Sequence, residues 1–229
     1  MDWIHNYNLF LFDFDGLLVN TEELHWKAYI NMCQSRGFAL AWSFSRYCLA
    51  AHFHSTGLQE HVYAELPALQ ELEPDWSVLY QEKKKEYLKL LHETDITLMP
   101  GAEELLVALE KASIKRCVVT HSPLEQIDFI RERLPLLDTI PWWITREHYN
   151  RAKPCPECYL KAIDTYSEKG DKIIGFEDTP RGLAALQNTP AQAVFVSSTP
   201  YKDMGAIVKR GTVHLSSLVE MEGFFNTAS

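Results

Sequence analysis

No apolar run in this 229-residue chain approaches the ~20 residues needed to cross a bilayer, so no membrane partner is expected. The opening MDWIHNYN lacks the charged start and apolar middle of a secretory signal, and the expected address is the cytoplasm. Positive charge is in deficit: 22 Lys and Arg stand against 31 Asp and Glu, a net charge of −9. Nucleic acid is excluded as the main partner, because binding a phosphate backbone takes clustered cations. Cysteine is sparse, with five scattered residues, an odd number that fits reduced thiols better than a disulfide framework. Cys155 and Cys158 form a lone C-x-x-C. A zinc site would need two further ligands at suitable spacing, and the sequence supplies none. Repeats and low-complexity segments are also missing. What remains, at 46% hydrophobic and 23% charged residues, is the composition of an ordinary globular protein.

The most informative stretch is Asn8-Leu9-Phe10-Leu11-Phe12-Asp13-Phe14-Asp15-Gly16-Leu17-Leu18-Val19. It reads as a buried parallel strand delivering two carboxylates at its end, where ligands collect in open α/β sheets. Residues i and i+2 of a strand share a face, so Asp13 and Asp15 are expected to lean toward one ligand. Two like charges held that close repel unless a cation or a proton compensates them. The pair therefore predicts a metal, a reaction, or both.

Residues 21–94 read as helical throughout. Thr21-Glu22-Glu23-Leu24 opens a helix whose Trp26, Tyr29, Ile30 and Cys33 keep a 3/4 spacing up to Gly37, and further helices are expected near Ser43–Ala51, Thr56–Leu66 and Asp75–His92. From Pro100 the pattern alternates. Strands are expected at Arg116–Thr120, Trp142–Thr145, Lys172–Phe176, Ala191–Val196 and Val213–Leu215. Helices fall between them, through Lys111, over Pro123–Leu134, Pro156–Glu168 and Pro180–Gln187. Such alternation indicates βαβ units: a Rossmann-like α/β core with a parallel sheet and helices on both faces, plus an inserted all-helical segment. The core is assigned to residues 1–17 and 96–229, the insertion to 18–95.

Four strand ends carry reactive residues: DFDGLLVNTEELH from Asp13, VVTHS around Thr120, KPCPECY from Lys153, and GFEDTPRGLAAL around Glu177 and Asp178. Taken alone, Thr120 reads equally as a turn or cap residue, Lys153 as a surface charge and Glu177-Asp178 as a solvated acidic turn. Together and in this order the four strings resemble the motifs of the haloacid dehalogenase-like hydrolases, most closely the β-phosphoglucomutase-like branch. Its first motif runs D-x-D-G-x-x-x-[DNS]-[ST]-E-x-x-H and its third K-P-x-P-[DE]-x-[YF].

The resemblance covers nearly the whole chain. It implies phosphoryl transfer, with Asp13 attacking phosphorus and Asp15 serving as general acid/base. It further implies Mg²⁺ held by Asp13, the main-chain carbonyl of Asp15, Asp178 and Glu177, a hard cation on oxygen ligands. Thr120 and Lys153 would complete a phosphate cradle with Gly16, while His121 and His25 would lie near substrate. His121 departs from the family, which often has Asn or Ser there. Residues 18–95 would be the helical cap, hinged at Leu17–Asn20 and Thr94–Pro100, and Cys155 and Cys158 fall on variable positions of the third motif.

The branch holds both phosphatases and sugar phosphomutases. Mutases clamp a second phosphate with a cationic cap residue, and the corresponding stretch here, Leu49–Ser55, has neither Arg nor Lys. His52 and His54 would bind substrate or decorate a loop. Hydrolysis of a small phosphorylated metabolite, such as a sugar phosphate, is the expected reaction, by a monomer or homodimer. A phosphomutase is the alternative. A dehalogenase would not need Asp15, and a non-catalytic phosphoryl receiver would be about half this length.

Overall fold

The computed structural model describes residues 1–54 and 56–227. Strands β1 (Leu9–Phe12), β2 (Lys115–Val119), β3 (Trp142–Ile144), β4 (Ile173–Glu177), β5 (Gln192–Val196) and β6 (Val213–Leu215) form one six-stranded sheet in the order β3-β2-β1-β4-β5-β6. Every pairing is parallel. The expected Rossmann-like α/β core is therefore present, and its strand order reverses beside β1, where such sheets place their ligand crevice.

The apolar runs explain the layout. All four residues of β1 are fully buried, as a central strand covered on both faces requires. Phe10 and Phe12 of β1 stack on Phe176 of β4, with centroids 6.1 and 5.1 Å apart. Trp142 and Trp143 lie on the edge strand β3, where Trp142 stacks on Tyr166 and Trp143 meets Phe14 edge-on.

The chain packs as two compact units. One comprises Met1–Asn20, Thr97–Ser198 and Lys202–Ser229, the other Thr21–Ile96 with Thr199–Tyr201. The second unit carries α1 (Glu22–Ser35), α2 (Phe44–Ala51), α3 (Gly57–Glu65), α4 (Pro67–Leu72) and α5 (Trp76–Glu93) around a core that includes Met32, Trp42, Tyr47 and Leu79. Ser43 caps α2 and Asp75 caps α5 through their side chains, supplying acceptors for N–H groups that have none within the helix. The sheet unit holds α6 (Ala102–Lys111), α7 (Leu124–Arg133), α8 (Glu157–Tyr166), α9 (Pro180–Leu186), α10 (Met204–Ile207) and α11 (Met221–Thr227).

Two local expectations need correction. The sequence reading gave no helix at Pro67–Leu72 or in the C-terminal α10 and α11. Pro67 restarts a helix at its first position, where the missing N–H costs nothing. β1 ends at Phe12, so Asp13 and Asp15 stand beyond the strand and do not share a strand face.

Candidate active site

The carboxyl ends of β1, β2 and β4 lie level, since Phe12 pairs with both Val118 and Phe176. The residues that follow these strands are thus brought together by sheet register alone. Asp13 is anchored by its N–H, which donates to Phe176 O at 3.0 Å. The chain then turns sharply: Leu18 and Val19 N–H groups donate back to Phe14 O, and Gly16 sits at φ +80. That left-handed conformation is cheap only for glycine, so Gly16 shapes the turn that follows the two acids.

Lys153, buried in the loop before α8, donates its ammonium to Asp13 Oδ1 at 2.6 Å and to Val119 O at 2.9 Å. It also lies 2.7 Å from Glu177 Oε1. Burial alone would lower the ammonium's pKa, but Asp13 and Glu177 outweigh it, raise the pKa and keep Lys153 charged. Glu177, fully buried at the end of β4, is pushed the other way: burial raises its pKa, Lys153 opposes that rise, and the Asp13 charge adds to it. Lys153 serves two carboxylates, and the geometry gives Asp13 the shorter contact. Tyr159 OH donates to Glu177 Oε1 at 2.5 Å.

Asp13, Glu177 and Asp178 can each offer a carboxylate oxygen within 4.8 Å of the others. Three carboxyl groups face one ammonium in a largely buried site. Glu177 Oε2 is buried without a hydrogen-bond partner. The donor set, all oxygen and acidic, fits a hard divalent cation such as Mg²⁺. Gly182 in α9 makes room for this arrangement, because a Cβ there would meet Glu177 Oε2 at 2.0 Å.

Asp15 does not join that cluster. Its Oδ2 accepts a 2.5 Å hydrogen bond from Ser122 Oγ, in the loop after β2. Thr120 heads the same loop, buried, with its Oγ1 accepting the Ser122 N–H at 3.0 Å. Tyr149 OH donates to Thr120 O at 3.0 Å, so its oxygen accepts from His121 Nδ1 at 2.7 Å. His121 is thereby fixed as the Nδ1–H tautomer. Its pKa is pushed down to about 4 by burial and then by Arg181, Arg146 and Lys153, although its outer edge is exposed. It is a neutral imidazole at pH 7.

Comparison with known proteins now decides the family. The sequence profile of haloacid dehalogenase-like hydrolases matches residues 10–196. The chain is a haloacid dehalogenase-like hydrolase. It is similar to a phosphorylated carbohydrates phosphatase of Thermotoga maritima, 26% identical over 94% of this chain and 95% of that one. Among solved structures, CbbY from Rhodobacter sphaeroides in complex with phosphate superposes with a TM-score of 0.72 at 20% identity, covering 94% and 96% of the two chains. A Bacteroides vulgatus protein described as a putative β-phosphoglucomutase gives a TM-score of 0.71 at 21% identity, over 99% and 93%. The fold is that of the β-phosphoglucomutase-like branch.

In this hydrolase the other histidines singled out in the sequence, His25, His52 and His54, lie in the helical unit. His25 Nδ1 accepts from the Lys83 ammonium at 2.6 Å and its ring stacks on Tyr87. His52 is 3% exposed, with Nδ1 2.6 Å from Tyr201 OH and Nε2 2.9 Å from Glu22 Oε1. Both ring nitrogens are engaged, so His52 neither decorates a loop nor offers a ring nitrogen to substrate. His54 is exposed, and Ser55 of the stretch Leu49–Ser55 lies outside the described residues. Cys158 is buried, which pushes its thiol up to about 11, and Cys155 is also a free thiol.

Sequence reasoning passed over Tyr159, Tyr149, Ser122, Gln126 and Lys83. Tyr159 occupies the aromatic position of the third motif and Ser122 stands two residues after Thr120, so both lay within strings already in view. Lys83 carried no local signal, being one of three consecutive lysines in α5. Among the described residues no helix is long and apolar enough to cross a membrane.

Proposed function

We propose that this hydrolase is a Mg²⁺-dependent phosphatase of a small phosphorylated metabolite, with a sugar or polyol phosphate as its substrate class. The observation that carries the reading is the placement of Asp13, held by Lys153 at 2.6 Å and clustered with Glu177 and Asp178 at the carboxyl end of the central strand. A carboxylate so placed is a nucleophile whose approach to an anionic phosphate is electrostatically compensated. The names of the relatives support the substrate class: alongside the Thermotoga carbohydrate phosphatase stands the hexitol phosphatase A of Escherichia coli, 27% identical over 76% of this chain.

Lys153 holds Asp13 Oδ1, and Oδ2 attacks phosphorus as the bond to the ester oxygen breaks. Asp15 gives its proton to the departing oxygen. Water then attacks the aspartyl phosphate, Asp15 takes a proton from it, and phosphate leaves with Asp13 restored. Thr120 and Gly16 contribute hydrogen-bond donors to the phosphoryl oxygens, and Lys153 neutralises charge as it spreads. Mg²⁺, held by Asp13, Asp178, the Asp15 carbonyl and Glu177, would stabilise negative charge on the phosphoryl group. Residues 21–96 are read as the helical cap of the family.

Hydrolysis is favoured over phosphoryl return to sugar. The described residues of Leu49–Ser55 offer no Arg or Lys, and His52 is tied down. Arg46 of α2 stacks on Trp42 and reaches His61 Nδ1 at 3.2 Å, and Lys83 is engaged with His25. The test is a panel of phosphorylated sugars and polyols assayed for free phosphate and for isomerised sugar phosphate, with and without Mg²⁺. Free phosphate as the dominant product, lost in Asp13→Asn and after chelation, is the expected result. Full turnover in Asp13→Asn or in excess EDTA defeats the reading.

A further inference from the structure

The proposed acid/base, Asp15, is held by two neutral residues whose hydrogen bonds have a fixed direction. Gln126 Nε2 donates to Ser122 Oγ at 3.2 Å, and Ser122 Oγ lies 2.5 Å from Asp15 Oδ2. A serine hydroxyl has one proton. With its oxygen accepting from Gln126, that proton is directed to Asp15. Both residues are buried, Ser122 at 7% and Gln126 at 6% exposure, and both are fixed from behind: Ser122 N–H donates to Thr120 Oγ1, Ser122 O accepts from Arg146 N, and Gln126 lies in the first turn of α7. Ser122 lies in the loop just before the N-cap Pro123 of α7, and from the first turn of that helix the Gln126 amide reaches back to the hydroxyl.

We propose that Ser122 and Gln126 are positioning residues for the acid/base, a relay that orients the Asp15 carboxylate toward the leaving oxygen. The loop that presents Thr120 to the phosphoryl group also sets the posture of Asp15, so nucleophile side and proton side are aligned by one short segment. This inference rests on the reading of Asp15 as acid/base.

A misplaced acid matters most when the leaving group needs its proton. General acid catalysis is typically worth 10²–10⁴-fold, and a loosened acid forfeits part of that. The experiment measures kcat/KM, which reports phosphoryl transfer to the enzyme, for aryl phosphates of similar size and different leaving-group acidity. These are 4-nitrophenyl, phenyl and 4-methylphenyl phosphate, together with one sugar phosphate. Ser122→Ala is expected to lose less than about threefold on 4-nitrophenyl phosphate and roughly 10–100-fold on the sugar phosphate, with the other aryl esters between them. Ser122→Thr should restore most of the loss. Gln126→Met, which removes the donor behind Ser122 and leaves the hydroxyl in place, should show the same trend at smaller amplitude.

A uniform loss across the series in both Ser122→Ala and Gln126→Met, or none in either, overturns the proposal. Asp15→Asn, run in parallel, separates the two ideas. If it shows the steep leaving-group dependence and the relay variants do not, only the relay is wrong. If Asp15→Asn turns over every ester as the native enzyme does, the acid/base reading itself fails.

Discussion

Gly182→Ala is expected to damage both stability and metal binding, even though alanine is the better helix former. In α9 the substitution should gain about 1 kcal/mol of helix propensity. Against this, the new Cβ would lie 2.0 Å from Glu177 Oε2 and 2.2 Å from Cδ, where ordinary contact begins at 3.4 Å. The carboxylate must therefore retreat by more than an ångström. The end of a free glutamate could do so, but Glu177 is fully buried and held by Tyr159 OH at 2.5 Å and Lys153 at 2.7 Å. Hydrogen bonds to charged groups contribute roughly 1.5–3 kcal/mol each, so losing one or both leaves a net cost of roughly 2–4 kcal/mol. In a chain of this size that is a fall in Tm of roughly 5–15 °C. Because Glu177 belongs to the acidic cluster, the Mg²⁺ concentration for half-maximal activity should rise roughly 10–100-fold. Thermal unfolding of Gly182→Ala, Glu177→Ala and the double variant isolates the cause. Without the Glu177 carboxylate the three atoms nearest the added methyl are gone, and Gly182→Ala should become neutral or stabilising, a coupling of about 2 kcal/mol or more. An equal cost in both backgrounds, or no cost in either, refutes the argument.

Lys153→Met should abolish measurable turnover and destabilise the sheet unit by roughly 3–5 kcal/mol, since it leaves Asp13 and Glu177 facing each other uncompensated. Steady-state kinetics and a melting curve check it, and turnover within tenfold of native would contradict the assigned role. Dialysis against EDTA should remove activity and lower Tm, with Mg²⁺ restoring both, because a cation bound only by the folded state stabilises it. An unmoved Tm would speak against the acidic cluster as the site. In the helical unit, burial tends to raise the pKa of Glu22, but the His52 hydrogen bond and the charges of His52 and His25 overcome it and hold the pKa at about 2 against an ordinary 4.5. A depressed carboxylate stabilises the fold above its unfolded value and loses that contribution as pH falls through the folded one. Glu22→Gln should therefore narrow its stability gap to the native protein by about 3 kcal/mol between pH 5 and pH 2, read from denaturant unfolding at each pH.

The centre of the sheet was legible because β1 and β4 are buried along their whole length and read as largely apolar runs, and Leu9–Phe12 is the clearest case. The helix α4 was hidden because Pro67 looks like a stop when it is a start. α11 was hidden for a different reason: its Phe225 stacks on Trp3 at 4.6 Å, a contact between the two ends of the chain that no local pattern encodes. At the site, the chemistry-bearing residues stood out by type and by position after strands. Their pairings did not. Lys153 lies 140 residues from Asp13, and Ser122 lies 107 from Asp15, so each contact exists only once the sheet has set its register. Asp13 and Asp15 were read as sharing one face because a strand was assumed to continue. The strand ends at Phe12, and beyond it Asp13 meets Lys153 while Asp15 meets Ser122.

That separation bears on how one short loop can supply two carboxylates with opposite duties. A nucleophile must stay ionised beside an incoming anion, which demands nearby positive charge. Asp13 has it from Lys153, and the carboxyl groups of Glu177 and Asp178 beside it suit a divalent cation as well. An acid/base must change protonation state within each turnover, and a cation at hydrogen-bond distance would hold it ionised. Asp15 accepts from a serine hydroxyl that is itself backed by a neutral amide. Had both carboxylates continued along one strand face, a single cation would have served both and suppressed the proton transfer. With the strand ended at Phe12, Asp13 lies with the charged partners on β4 and the loop before α8, and Asp15 meets Ser122 in the loop after β2. On this argument, placing an ammonium near Asp15, as in Gln126→Lys, should depress turnover of sugar phosphates far more than of 4-nitrophenyl phosphate. A variant with normal activity on both would show that the neutral Ser122–Gln126 pair beside Asp15 is not needed.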